Sequence, residues 1–132
     1  MNFKSTIIEY RVYDQNFKRL VNQVLGRIPD TYEEEFPIFS IYEGYCEWGA
    51  MVDEQGIVFD VGKLNEESEG DNVAIKGLVA HELAHVFLKH SVLVAQGKAT
   101  LEHEADKLAI KWDFKREIEV FRQKFGPPTP QK

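Results

Sequence analysis

Apolar positions recur at helical spacing after Asp14, where Phe17, Leu20, Val21, Val24 and Leu25 share one face. Asp14 is placed to cap this helix, and Gly26 and Pro29 stop it near Leu25 to Ile28. The helix reads as a packing element over a sheet. The run before it, residues 6–13, suits a short strand or the start of a helix equally well. From Pro37 to Leu64 the texture turns β-like. Ile38 to Tyr42, Ala50 to Val52 and Ile57 to Val61 are strand-like runs, and the last two flank the turn signal Asp53-Glu54-Gln55-Gly56. Tyr42, Tyr45 and Trp48 are expected in the core or on a sheet face. Residues 65–72 read as a polar, acidic loop, with Asp71 or Asn72 capping a helix that begins near Val73. That helix is apolar nearly all round and should be largely buried, ending near Lys89 to Ser91, before a loop through Gly97. A further helix is expected from about Ala99 to Trp112, a turn at Asp113-Phe114, and a last amphipathic helix from about Lys115 to Phe125. Gly126-Pro127-Pro128 ends the pattern.

Composition narrows this picture. A chain of 132 residues with 43% hydrophobic and 12% aromatic content suits one globular α+β domain. Residues 1–126 are expected to form it, with 127–132 as a flexible tail. The formal net charge of −6 argues against nucleic acid as a partner. Cys46 is the single cysteine, so no internal disulfide forms, and it reads as a small apolar core residue. Charges interrupt the N-terminal apolar pattern, so residues 1–13 lack a signal-peptide core. No uncharged apolar run reaches the roughly 18 residues that a spanning helix needs. The expectation is a cytoplasmic protein with no membrane association.

The candidate chemistry sits in His81-Glu82-Leu83-Ala84-His85. On an α-helix, residues i and i+4 lie on one face, so two imidazoles can reach one metal ion. Glu82 falls about 100° round the helix, able to face a metal-bound water without being a ligand. Chance would give this pattern in roughly 0.013 places in a chain of this composition, so it carries information. A catalytic zinc wants three protein ligands and an open position. His90, Glu102, His103, Glu104 and Asp106 are the downstream candidates for the third. The arrangement with a third histidine ten residues after the first fails, because Ser91 and Leu88 stand where a histidine and a glycine are required. His90 lies about 180° from His81 on a continued helix, and reads as a helix-end histidine. On the following helix, Glu102 and Asp106 border the apolar face, while Glu104 falls on the solvent side with Lys107 and Lys111. Glu102 is therefore the better ligand. Asp106 is placed to orient a ligand imidazole, and Glu104 is expected as an exposed charge paired with Lys107.

Together, His81-Glu82-Leu83-Ala84-His85 and Glu102-His103-Glu104-Ala105-Asp106 resemble the H-E-x-x-H … E-x-x-A-[DN] pattern of gluzincin metallopeptidases. In size and element order the chain is most similar to the minimal gluzincins and the ImmA/IrrE-type peptidases. The membrane-bound enzymes that share the E-x-x-A-D signature have spanning helices that this chain lacks. The resemblance implies a minimal zincin-like α+β domain. Its parts would be an N-terminal helix, a small, mostly antiparallel three-stranded sheet, an active-site helix, a glutamate helix and a C-terminal helix. It implies Zn2+ bound by His81, His85 and Glu102, with Glu82 as general base and a peptide or protein as substrate. The sixteen residues between His85 and Glu102 make a short gap for this pattern. No residue matches a downstream oxyanion donor. Two functional expectations follow. One is zinc-dependent peptide hydrolysis, with a strand near Ile57 to Val61 pairing with extended substrate. The other is a latent zinc-containing module that docks a protein partner.

Overall fold

The computed structural model describes residue 3, residues 6–90 and residues 99–127. It is α+β. The undecided N-terminal run forms β1 (Ile7–Arg11), and α1 (Gln15–Arg27) follows it. The Asp14 carboxylate accepts from Phe17 N–H at 2.8 Å, a cap that stabilises such a helix by about 1 kcal/mol. After a short 3₁₀ turn (Asp30–Tyr32) come β2 (Phe39–Glu43), β3 (Ala50–Val52) and β4 (Gly56–Phe59).

The sheet differs from the expected three antiparallel strands. It has four strands in the order β1-β2-β4-β3, with β1, β2 and β4 parallel and only β3 antiparallel to its neighbour β4. The crossover through α1 carries β1 to β2 in the same direction, as a helical connection permits. The Asp53 carboxylate accepts from Gln55 N–H and Gly56 N–H, which tightens the β3–β4 hairpin. The hairpin then inserts β4, not β3, beside β2. Ile57 and Phe59 are fully buried there, so the central position goes to the strand with more apolar surface to hide. Gly56 is needed at this point, because a Cβ there would lie 1.9 Å from the Ser40 carbonyl oxygen. Since β4 is paired on both sides, Ile57 to Val61 is not an exposed strand, and β3 is the edge on that side of the sheet.

The stretch after β4 also departs from expectation. Asp60 caps α2 (Val61–Glu67), its carboxylate accepting from Lys63 N–H, so the first three residues of the expected acidic loop, Asn65 to Glu67, are helical and Val61 belongs to that helix. Then α3 (Asn72–Phe87), capped by Asp71, runs through the core, followed by α4 (Ala99–Lys111) and α5 (Lys115–Phe125). The predicted loop through Gly97 and most of the predicted tail lie outside the described residues.

α3 is buried by α1 and the sheet together with α4 and α5. The Phe17 ring packs on Phe59 at 5.0 Å, tying α1 to the sheet. Tyr32, Phe36, Phe87 and Trp112 form an aromatic cluster that closes the far end of α3 and α4. Gly77 lets α5 approach α3 closely, since a Cβ would meet the Glu117 carbonyl oxygen at 2.1 Å. That close approach brings the last turn of α5 alongside the middle of α3 and α4. No helix among the described residues is long and apolar enough to cross a membrane.

Candidate metal centre

His81 and His85 stand one turn apart on α3, each 2% exposed, amid a helix that is otherwise almost wholly apolar where it is buried. Two polar rings in that setting need partners, and α4 supplies one. His81 Nε2 lies 3.0 Å from Glu102 Oε2, His85 Nε2 lies 3.1 Å from Glu102 Oε1, and the two Nε2 atoms are 3.0 Å apart. A tetrahedral metal ion with bonds of about 2 Å holds its ligand atoms roughly 3.3 Å apart. The three donor atoms therefore converge at nearly the spacing that one metal ion would impose, and these residues are the cluster among those described that can hold one. Two imidazoles and a carboxylate are a borderline donor set, suited to zinc and to neighbouring transition metals.

Glu82 stands beside this triangle, not in it. Its Oε1 is 4.0 Å from His81 Nε2, and its side chain is 12% exposed. Burial pushes the Glu82 carboxyl above its ordinary value, against the pull of His81 and His85. Near it runs the loop between β2 and β3. Burial raises the Cys46 thiol on that loop and the charge of Glu82 adds to the rise, while backbone hydrogen bonding at Trp48 opposes it. Cys46 is buried, but Tyr45 is 88% and Trp48 58% exposed on the loop between β2 and β3, so those two aromatics are surface groups and lie neither in the core nor on a sheet face, where they were expected; Tyr42, on β2, is half-buried.

Each of these two imidazoles is held from behind through Nδ1. For His81 the partner is Asp106 Oδ1 at 2.7 Å, the position read from helical phase. Asp106 is itself clamped by Arg122 of α5, whose Nε–H donates to Oδ2 at 2.8 Å and whose Nη2–H donates to Oδ1 at 2.9 Å. The Arg122 guanidinium also lies 3.7 Å from Glu102 Oε2. Arg122 was not anticipated. It comes from another helix, and no local pattern marks a residue that meets Asp106 only through the packing at Gly77.

The support behind His85 is different. Its Nδ1 is 2.9 Å from Nδ1 of His90, and His90 Nε2 is 3.2 Å from Glu104 Oε2. His90 does lie at the end of α3, as expected, and because the helix stops at Leu88 the chain folds back there and sets its ring against His85. Glu104 is half-exposed as expected, yet its partner is His90 and not Lys107. His103 is exposed.

The electrostatics follow from this packing. Burial alone would lower the His81 pKa, but the hydrogen bonds to Asp106 and Glu102 and the charge of Glu82 outweigh it and raise it from 6.5 to about 9. Burial opposes ionisation of Glu102 and Asp106. The two histidines nevertheless hold Glu102 well below the usual carboxylate range, and His81 with Arg122 does the same for Asp106. Burial and the charge of His85 hold His90 below its ordinary value.

No family model, curated protein or solved structure matches this chain. The resemblance to gluzincins thus rests on the motif residues alone.

Proposed function

We propose that this protein is a zinc-dependent metallopeptidase, with His81, His85 and Glu102 as the zinc ligands. The observation that carries the reading is the convergence of two Nε2 atoms and one carboxylate within 3.0–3.1 Å of one another, with a fourth, partly buried group, Glu82, 4.0 Å from His81 Nε2. A metal held only for structure is usually enclosed by four protein ligands, whereas three ligands and a neighbouring carboxylate leave a position for water. When bound, zinc supplies a Lewis acid that lowers the pKa of a water and polarises a carbonyl oxygen.

Glu82 is the general base. It takes a proton from the attacking water and passes it to the departing amine as the C–N bond breaks. A raised Glu82 pKa makes the carboxylate a stronger base toward the water's proton, and the protonated carboxyl is still a strong enough acid to protonate the departing amine. Arg122 is committed to Asp106 and offsets the negative charge that Glu102 and Asp106 bring into the interior. For substrate, the free edge is β3, which packs against α3. An extended peptide adds to such an edge through main-chain hydrogen bonds. A cavity of about 210 Å³ at the end of β3, lined in part by Phe39, Val52 and Val86, has room for an apolar side chain of that peptide.

The test uses the purified chain loaded with zinc. One zinc per chain is expected, lost in His81→Ala and retained in Glu82→Gln. Hydrolysis of a mixed peptide library is expected from wild type and absent from Glu82→Gln. A Glu82→Gln protein that cleaves as fast as wild type would sink the mechanism.

A further inference from the structure

The end of α3 is an unusual piece of backbone with a chemical consequence. Leu88 closes the helix, and Lys89 takes a positive φ of 60°. His90 N–H donates to the His85 carbonyl at 3.0 Å, and Lys89 N–H to the Val86 carbonyl at 3.0 Å. This pair of bonds is the Schellman stop, in which the second residue past the cap folds back over the third helical residue before it. Those two positions usually exchange an apolar contact. Here they are His90 and His85, and the contact is between two imidazole Nδ1 atoms at 2.9 Å.

The proton positions then follow in sequence. Nε2 of His85 faces the donor triangle, so when it ligates a metal its lone pair is used there and its proton sits on Nδ1. Nδ1 of His90 must then accept. The neutral His90 ring carries its own proton on Nε2, and that N–H donates to Glu104 Oε2 at 3.2 Å. Every donor in the chain has an acceptor, and the chain ends on a half-exposed carboxylate.

We propose that His90 and Glu104 form a positioning pair that fixes the tautomer and orientation of His85 for metal binding, a counterpart to Asp106 and Arg122 behind His81. The proposal rests on the zinc reading given above. Neither residue belongs to the donor triangle, although His90 also borders the cavity at the end of β3. They act by holding His85 Nε2 on target, and the Schellman stop is the device that delivers His90.

The experiment measures zinc affinity by competition with a chelator, and the visible absorption of the Co2+-loaded protein, for wild type, His90→Ala, His90→Asn and Glu104→Ala. Loss of a group that orients a metal ligand costs about 10- to 100-fold in affinity. His90→Ala is expected to show that loss with an altered Co2+ spectrum. His90→Asn, whose side-chain oxygen reaches the Nδ1 position, is expected to recover to within about threefold of wild type with a wild-type spectrum. Glu104→Ala, removing the outer partner only, should cost several-fold. Thermal unfolding of the metal-free variants checks that each is folded. A His90→Ala protein that binds zinc as tightly as wild type overturns the pairing, as does a His90→Asn protein no better than His90→Ala. If wild type itself binds no metal, the metal centre falls, and the pairing with it.

Discussion

The two flanks of the metal centre solve one problem with different materials. Behind His81 the support is ionic and enclosed, with Asp106 buried between the imidazole and the Arg122 guanidinium, and it draws on α3, α4 and α5. Behind His85 the support is a second imidazole delivered by the end of the same helix, leading outward to a half-exposed carboxylate. The first can orient its ligand only if three helices are docked correctly. The second is set by six consecutive residues, His85 to His90, and one glutamate on α4. The difference teaches that one histidine of the candidate centre is tied to the tertiary fold and the other chiefly to a local chain reversal.

Removing Asp106 should break this contrast most forcefully. In Asp106→Ala, Arg122 loses both hydrogen bonds to the carboxylate and keeps only Glu102 at 3.7 Å, and breaking a buried pair costs about 3 kcal/mol. The metal-free variant should lose stability of that order in a denaturant titration, while metal-free His90→Ala stays within about 1 kcal/mol of wild type. Equal losses in the two variants would show that the flanks do not differ as described.

Titration probes the same ionic flank. His81 is raised from 6.5 to about 9, so its contribution to the metal-free fold is fully present below pH 6.5 and disappears as pH rises through about 9. Glu102 and Asp106 are shifted the other way. Their contribution is present above the ordinary carboxylate values and is lost as pH falls through their lowered ones. Chelator-treated protein should therefore be most stable from about pH 5 to 6.5. Thermal melts across pH 5–10 should show a decline toward pH 9 on the order of 3 kcal/mol, and His81→Asn should lack it. Zinc must displace the His81 proton, so its apparent affinity should climb over the same range. A flat profile in wild type would contradict the ionic account.

The smallest effect sharpens the other flank. Lys89 occupies a left-handed position that costs a residue with a Cβ about 1 kcal/mol relative to glycine. Lys89→Gly should stabilise the protein by about 0.5–1 kcal/mol without weakening zinc binding, as measured by thermal shift and chelator competition. A destabilised variant would mean that the stop does not govern the chain reversal.

Much of this architecture was legible along the chain. The caps at Asp14 and Asp71, the apolar stripe of α1, the span of α5 and the nearly all-apolar α3 are local signals, and each marks the element found. So were the shared face of His81 and His85 and the shared face of Glu102 and Asp106, because i and i+4 spacing on a helix constrains side-chain direction without reference to the rest of the fold; that the two faces meet was decided by the docking of the helices. The sheet was not legible in its order or direction. Strand-like runs separated by a turn suggest neighbours in sequence, but burial decided that β4, with Ile57 and Phe59, takes the centre and β3 the edge. Residues 65–72 looked like loop by composition, although Asp60 caps a helix that extends into them as far as Glu67.

What the amino-acid order determined by itself was the chemistry available and the helix faces that present it. Periodicity acts over one or two turns, and that range covers a two-histidine motif and a glutamate with an aspartate four residues on. What only the tertiary structure decided was which elements meet. Arg122 reaches Asp106 because Gly77 lets α5 close on α3, and His90 reaches His85 because the helix stops at Leu88 and reverses at Lys89. Neither contact has a period to announce it. The first depends on the packing of helices distant in the chain, and the second on a backbone turn whose usual glycine signal is replaced by lysine.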